Sequence, residues 1–118
     1  MKKICVLVVL ILGCVAMPAT AMYVTGQSLY TDLKKLDNRS GNGLDLERDI
    51  PIFRALGYIT GVADSFDGQF FCSPQSFTIG QVHQTVLNYL SKHPENWQRV
   101  ASDSVLLALS EQWPCAKK

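Results

Sequence analysis

The first 21 residues constrain this chain most, because they remove part of it and set the redox conditions for the rest. Met1-Lys2-Lys3 gives a short positive start, and Ile4 to Val15 is an almost unbroken apolar run. Pro18 breaks that run, and Ala19-Thr20-Ala21 matches an A-x-A cleavage site. The apolar stretch is about a dozen residues, short of the ~20 that a membrane-spanning helix needs. A cleaved signal over 1–21 is therefore expected, with a mature domain over 22–118 outside the cytoplasm; an uncleaved anchor is the bland alternative. A second processing route is open at Leu10-Ile11-Leu12-Gly13-Cys14, which resembles a lipoprotein box in which Cys14 would be acylated.

Removing the signal leaves about 97 residues, enough for one domain with one core. Lys2 and Lys3 leave with it, so nine basic residues face ten acidic ones, with no basic block or stripe. That balance argues against nucleic acid and anionic lipid surfaces, which need concentrated Lys and Arg. Cys5 and Cys14 also leave, so Cys72 and Cys115 have only each other to pair with. In an exported chain a structural bridge is favoured over a free thiol.

Helical spacing runs through the rest. A helix over Gly26 to Leu36, capped by Thr25, would bury Leu29, Leu33 and Leu36. Asp37 to Gly43 is dense in turn residues and opens a loop to about Glu47. Asp49 and Pro51 suit the start of a second helix, in which Ile52, Leu56, Ile59, Ala63 and Phe66 form one stripe. Gly57 and Gly61 lie on its other side, where two glycines cost about 1 kcal/mol each relative to Ala. They point either to close packing against another helix of the same chain or to a dimer or partner face. Thr78 with Gln81 forms a capping box, and Phe77 with Val82 a hydrophobic staple, for a third helix. That helix buries Ile79, Val82, Val86, Tyr89 and Leu90 and stops at His93, before Pro94. The last helical region, Glu95 to Trp113 with a break near Ala101 to Asp103, is apolar nearly all round from Val105. Such a helix is central in its fold or shared with a second chain, which favours a homodimer. The class is all-α, a small bundle of four to five helices with one disulfide.

Chemistry is thin. His83 and His93 have no companion at metal-ligand spacing, and packing or capping explains both. A Cys72–His nucleophile pair conflicts with the disulfide. Asp64 and Asp67 suit a solvated helix end better than an acid–base pair. No phosphate loop, haem motif or nucleophile elbow is present, so no cofactor, metal or catalytic residue is expected.

A resemblance adds to this reading. Gly57-Tyr58-Ile59-Thr60-Gly61-Val62-Ala63-Asp64, then Cys72-Ser73-Pro74, Gln81, Tyr89-Leu90 with His93-Pro94-Glu95, Val105 to Leu109 and Trp113-Pro114-Cys115 follow in order. Over about 25–115 this resembles the Rap/Tai family of immunity proteins associated with type VI secretion. The resemblance implies a periplasmic, often dimeric helical protein that binds and sterically blocks a peptidoglycan amidase effector, with its disulfide at Cys72 and Cys115. Many relatives carry a second cysteine pair where Leu33 and Ala55 align here, which sets this chain apart from them while leaving the pairing parity even.

Exposed polar loops on a rigid scaffold are the expected contact elements. Asn38, Arg39 and Asn42 stand in one such loop, and Asp67 and Gln69 in another. A rival reading is a periplasmic chaperone or stress protein that binds other envelope proteins through its helical surface.

Overall fold

The capping signals place the helices, and the apolar stripes pack them. The computed structural model describes residues 23–39, 41 and 43–116; the signal expected over 1–21, with Cys14, and the candidate contact residue Asn42 lie outside the described residues. Helix α1 runs over Gly26–Asp37. Thr25 Oγ1 accepts from the Ser28 N–H and Ser28 Oγ from the Thr25 N–H, each at 3.2 Å, so Thr25 is the cap its sequence suggests. Leu29 and Leu33 are buried, but Leu36 in the last turn stays 39% exposed. Leu33 and Ala55 both belong to the core.

Helix α2 spans Leu46–Phe66 and starts earlier than Asp49 and Pro51 suggest. Its cap is Asp45, whose Oδ1 accepts from the Arg48 N–H at 3.3 Å. Asp49 instead reaches back from inside the first turn to accept from the Asp45 N–H at 3.0 Å. Two capping-type residues four apart made the start ambiguous, and Pro51 is accommodated inside the helix. Asp49 is only 1% exposed. Arg48 clasps it, with Nε donating to Oδ1 at 2.8 Å and Nη2 to Oδ2 at 3.1 Å. The Arg48 hydrogen bond, with help from the Asp45 N–H, holds the Asp49 carboxyl down at about 2.

Helix α3 covers Ile79–Lys92 and has the capping box the sequence suggests, with Thr78 N–H donating to Gln81 Oε1 at 2.7 Å. Its buried stripe is Val82, Val86, Leu87, Tyr89 and Leu90. Ile79, expected in that stripe, sits in the first turn and is 58% exposed. A short 3-10 turn, Pro94–Asn96, precedes helix α4, Ala101–Gln112. The helix break thus falls before Ala101, over 97–100, and has a clear cause. Carbonyls that would continue a helix are taken by the N-terminal segment: Gln27 N–H donates to Trp97 O at 2.9 Å and Gly26 N–H to Arg99 O at 3.0 Å. Ala101 N–H returns a bond to Val24 O at 2.7 Å. The Trp97 indole N–H reaches Leu90 O at 2.8 Å, and its ring stacks on Tyr30 at 4.8 Å. This clasp needs Gly26, where a Cβ would stand 2.9 Å from Asn96 O.

Helix α4 packs against α1, α2 and α3, as an apolar central helix should. Ala101, Ser104, Val105, Ala108 and Leu109 are buried, and Leu106, Leu107 and Trp113 half-buried. The three flanking helices leave Leu106, Leu107 and Trp113 only partly covered, and the more exposed apolar side chains Leu46, Ile50 and Phe53 lie on α2. At its far end α4 is tied by the Cys72–Cys115 disulfide, which closes a separation of 43 residues, and by Cys72 N–H donating to Trp113 O at 2.8 Å. The fold is all-α, four α-helices with one disulfide, and no strand occurs among the described residues.

Two outcomes follow. The paired variant Cys72→Ser, Cys115→Ser should lose up to about 4 kcal/mol in denaturant titration, the loop-entropy figure for a closure of this length. The depressed Asp49 pKa implies stability that is full above about pH 4, the unfolded carboxyl range, and lost as pH falls towards 2. Acid titration of Asp49→Asn should show a flatter decline over that window than the unaltered chain.

Candidate functional site

The segment after α2 is built to hold one shape. Asp67 caps the helix and Gly68 adopts φ +80°, the left-handed region that favours glycine. Gly68 N–H donates to Phe71 O at 2.7 Å, closing the turn. Ser73 fixes the other side, its N–H donating to Asp67 Oδ1 at 3.0 Å and its hydroxyl to Asp67 Oδ2. Those Ser73 bonds pull the Asp67 pKa below its ordinary value. Phe71 consequently points into the core at 2% exposure, while Phe70 is turned out at 57%. Phe70 rests edge-on against Phe66, with ring centroids 5.3 Å apart. Cys72 and its disulfide then anchor the end of the turn. The outcome is a rigid tip that displays Gln69 and Phe70.

This geometry sorts the contact residues expected from the sequence. Gln69 is exposed at the tip, its amide donating to Ser65 O at 3.4 Å. Asp67 is exposed as a residue, but both carboxylate oxygens are engaged by Ser73, so its first role is to shape the turn. Asn38 caps α1, and Arg39 lies 3.9 Å from Asp49. Those two stand before the N-terminus of α2 and the tip follows its C-terminus. A helix of 21 residues is about 30 Å long, so one chain does not bring the two loops together.

A second surface lies on the outer face of α2, where Leu46, Ile50 and Phe53, not singled out in the sequence, join Gly57, Gly61 and Asp64. Leu46, Ile50, Phe53, Gly57, Gly61 and Asp64 follow at helical spacing and, at 3.6 residues per turn, fall within an arc of about 80°. All six are exposed, and Leu46, Ile50 and Phe53 retain 61%, 58% and 54% of their surface. Leu44 just before the helix is also exposed. The periodicity that identified the inward stripe runs equally through these positions, but it cannot say which of two apolar faces is covered. Gly57 and Gly61 are corrected in part: among the described residues nothing lies within 4 Å of a Cβ at either, so close packing inside the chain is not their role.

The histidines serve packing and capping. His83 is half-buried, with Nε2 3.2 Å from Leu56 O and 3.3 Å from Thr60 Oγ1. Burial pushes its pKa down, against the opposing pull of the Leu56 carbonyl. His93 caps α3, stacks on Tyr89 at 4.3 Å and meets Glu95 Oε1 through Nδ1 at 2.8 Å. It borders an open, mainly polar cleft of about 280 Å³ with Lys92 and Glu111. Among the described residues no three His, Cys, Asp or Glu side chains gather to hold a metal ion, and no helix is long and apolar enough to cross a membrane. Cys72 is consumed by the disulfide and is not a nucleophile.

A disulfide-tied helical domain with a stiff displayed turn and a bare helix face is organised for contact with another protein. Over residues 25–115 the chain matches the family model of Rap1a immunity proteins, and it belongs to that family. Membership implies binding to a cognate effector protein. No curated protein matches the chain.

Gly26, Gly57 and Gly61 separate experimentally. Gly57→Ala and Gly61→Ala should each stabilise the folded chain by about 1 kcal/mol, because neither Cβ meets an obstacle. Gly26→Ala should destabilise it by about 1–3 kcal/mol through overpacking against Asn96 and Trp97. Urea titration of dilute protein reads both signs.

Proposed function

We propose that this chain is a periplasmic immunity protein that binds one peptidoglycan amidase effector of a type VI secretion system and fills its cleft. The family match across 25–115 carries this reading. The turn after α2 supports the steric part of it. Gln69 and Phe70 project from a turn closed by Asp67, Ser73 and the disulfide, so little conformational freedom is left to lose on docking. An exposed aromatic on a rigid support is also the kind of side chain that dominates interface energetics. Blocking a cleft asks no chemistry of this chain. The active form is a homodimer, and export through the 1–21 signal places it where the wall is cut.

Phe70→Asp should weaken inhibition of the cognate amidase by about 30-fold, near 2 kcal/mol, while leaving the helical circular dichroism unchanged. Deleting the gene should sensitise cells to a co-encoded or sibling-delivered amidase. Normal growth of the deletion strain under attack, with no hydrolase captured by the purified chain, would count against the reading. Leu44, Leu46, Ile50 and Phe53 also give a chaperone something to hold clients with. Broad binding of unfolded envelope proteins, lost in Phe53→Asp, would favour that alternative.

A further inference from the structure

The last turns of α2 and the start of α3 leave a small cavity of about 130 Å³ between them. Phe71 and Val82, 2% and 4% exposed, form its floor with the half-buried Ala63. Exposed Phe77 and Ile79 edge it from the α3 side, and the exposed carboxylates of Asp64 and Asp67 from the α2 side. We propose that this cavity receives one basic side chain, a lysine or arginine, from the protein that the turn after α2 engages. That the partner is an effector rests on the immunity reading above.

Size and charge select that occupant. Cofactors and drug-sized ligands fill roughly 300 Å³ or more, whereas a space of about 150 Å³ takes one benzene-sized group. The room therefore suits a single side chain. An apolar floor under an acidic rim suits one with an aliphatic stem and a cationic head. The neighbouring chain supplies no such group. From Ala55 to Ser91 there is no Lys or Arg, and Asp64 and Asp67 are the only acidic residues. Arg54, the last cation before that stretch, is spent on Asp32. His83 stands 3.3 Å from Thr60 on the cavity wall, but burial pushes its pKa down, so at neutral pH it brings no charge.

The rim also carries a cost in the isolated chain. Carboxylates at a helix C-terminus oppose the helix dipole, and the last turn of α2 has no basic residue to offset them. Asp67 has the turn to shape, but among the described residues Asp64 has no ion pair to serve. A docking cation relieves both carboxylates, and the attraction strengthens as water leaves the mouth. Asp67 belongs to the turn and to the cavity alike. A partner that takes Phe70 into its cleft thus sets its own rim over the cavity, and each protein inserts a side chain into the other.

The test measures the affinity of the full exported chain and its variants for the co-encoded amidase. Asp64→Asn should weaken binding about tenfold and Asp64→Lys about a hundredfold, neither lowering the melting temperature. Glu111→Gln, the same charge loss on exposed α4 surface, should change neither quantity. When the amidase's Lys and Arg residues are changed to Ala one at a time, one position should lose its effect in the Asp64→Asn background. Affinity unmoved by Asp64→Lys, or no amidase cation coupled to Asp64, overturns the proposal and leaves the immunity reading standing. Tighter binding after the joint change Lys117→Gln, Lys118→Gln gives the cavity to the chain's own tail and also overturns it. If no amidase binds, the immunity reading falls and a small probe, Nα-acetyl-lysine methylamide, decides the cavity. Methyl resonances of Ala63, Ile79 and Val82 that move further with it than with its norleucine counterpart support the site. Equal or absent shifts up to about 50 mM overturn it.

Discussion

Helix α4 is fastened at both ends, and the rest of the molecule is arranged around it. At its start, Gly26, Gln27 and Ala101 exchange backbone hydrogen bonds with Arg99, Trp97 and Val24. At its finish, the disulfide and the Cys72–Trp113 hydrogen bond tie it to the chain leaving α2. Between those fastenings α4 contacts each of the other helices. A domain this small buries a modest fraction of its surface, so ties of this kind carry weight that a larger core would supply by itself.

Much of this architecture was legible in the sequence, and the reasons are local. Thr78 was read as a helix start because its capping partner Gln81 lies three residues away, within one turn, and Thr25 because it stands just before an apolar stripe at helical spacing. The cysteine pairing followed from there being only two candidates once residues 1–21 are read as a cleaved signal. What escaped was decided at long range. Nothing near Ala101 announces that carbonyls 97 and 99 are claimed by residues 26 and 27, so the helix break was set a few residues late. Asp45 and Asp49 present the same side chain at neighbouring positions, and only the packed structure shows which one caps and which reaches back.

The candidate surfaces were less legible for a related reason. Loop composition singled out Asp67 as a contact residue, whereas its carboxylate is spent on Ser73 and the exposed group beside it is Phe70. An aromatic in a loop reads from sequence as core; here Phe71 takes the core position and its neighbour is turned outward. The same blindness hid Leu46, Ile50 and Phe53, since hydrophobic periodicity locates an apolar face without saying what covers it. Structure converts Gly57 and Gly61 from an ambiguous pair into places where a helix is unprotected.

The sulfur link between Cys72 and Cys115 has a temporal side as well. Such a bond forms only where the surroundings are oxidising. A newly made chain still among reducing thiols would have its helices but no covalent hold on the segment that shapes the turn. On the functional reading given above, the polypeptide matures into a competent blocker on arrival, and its synthesis and its activation become separate events.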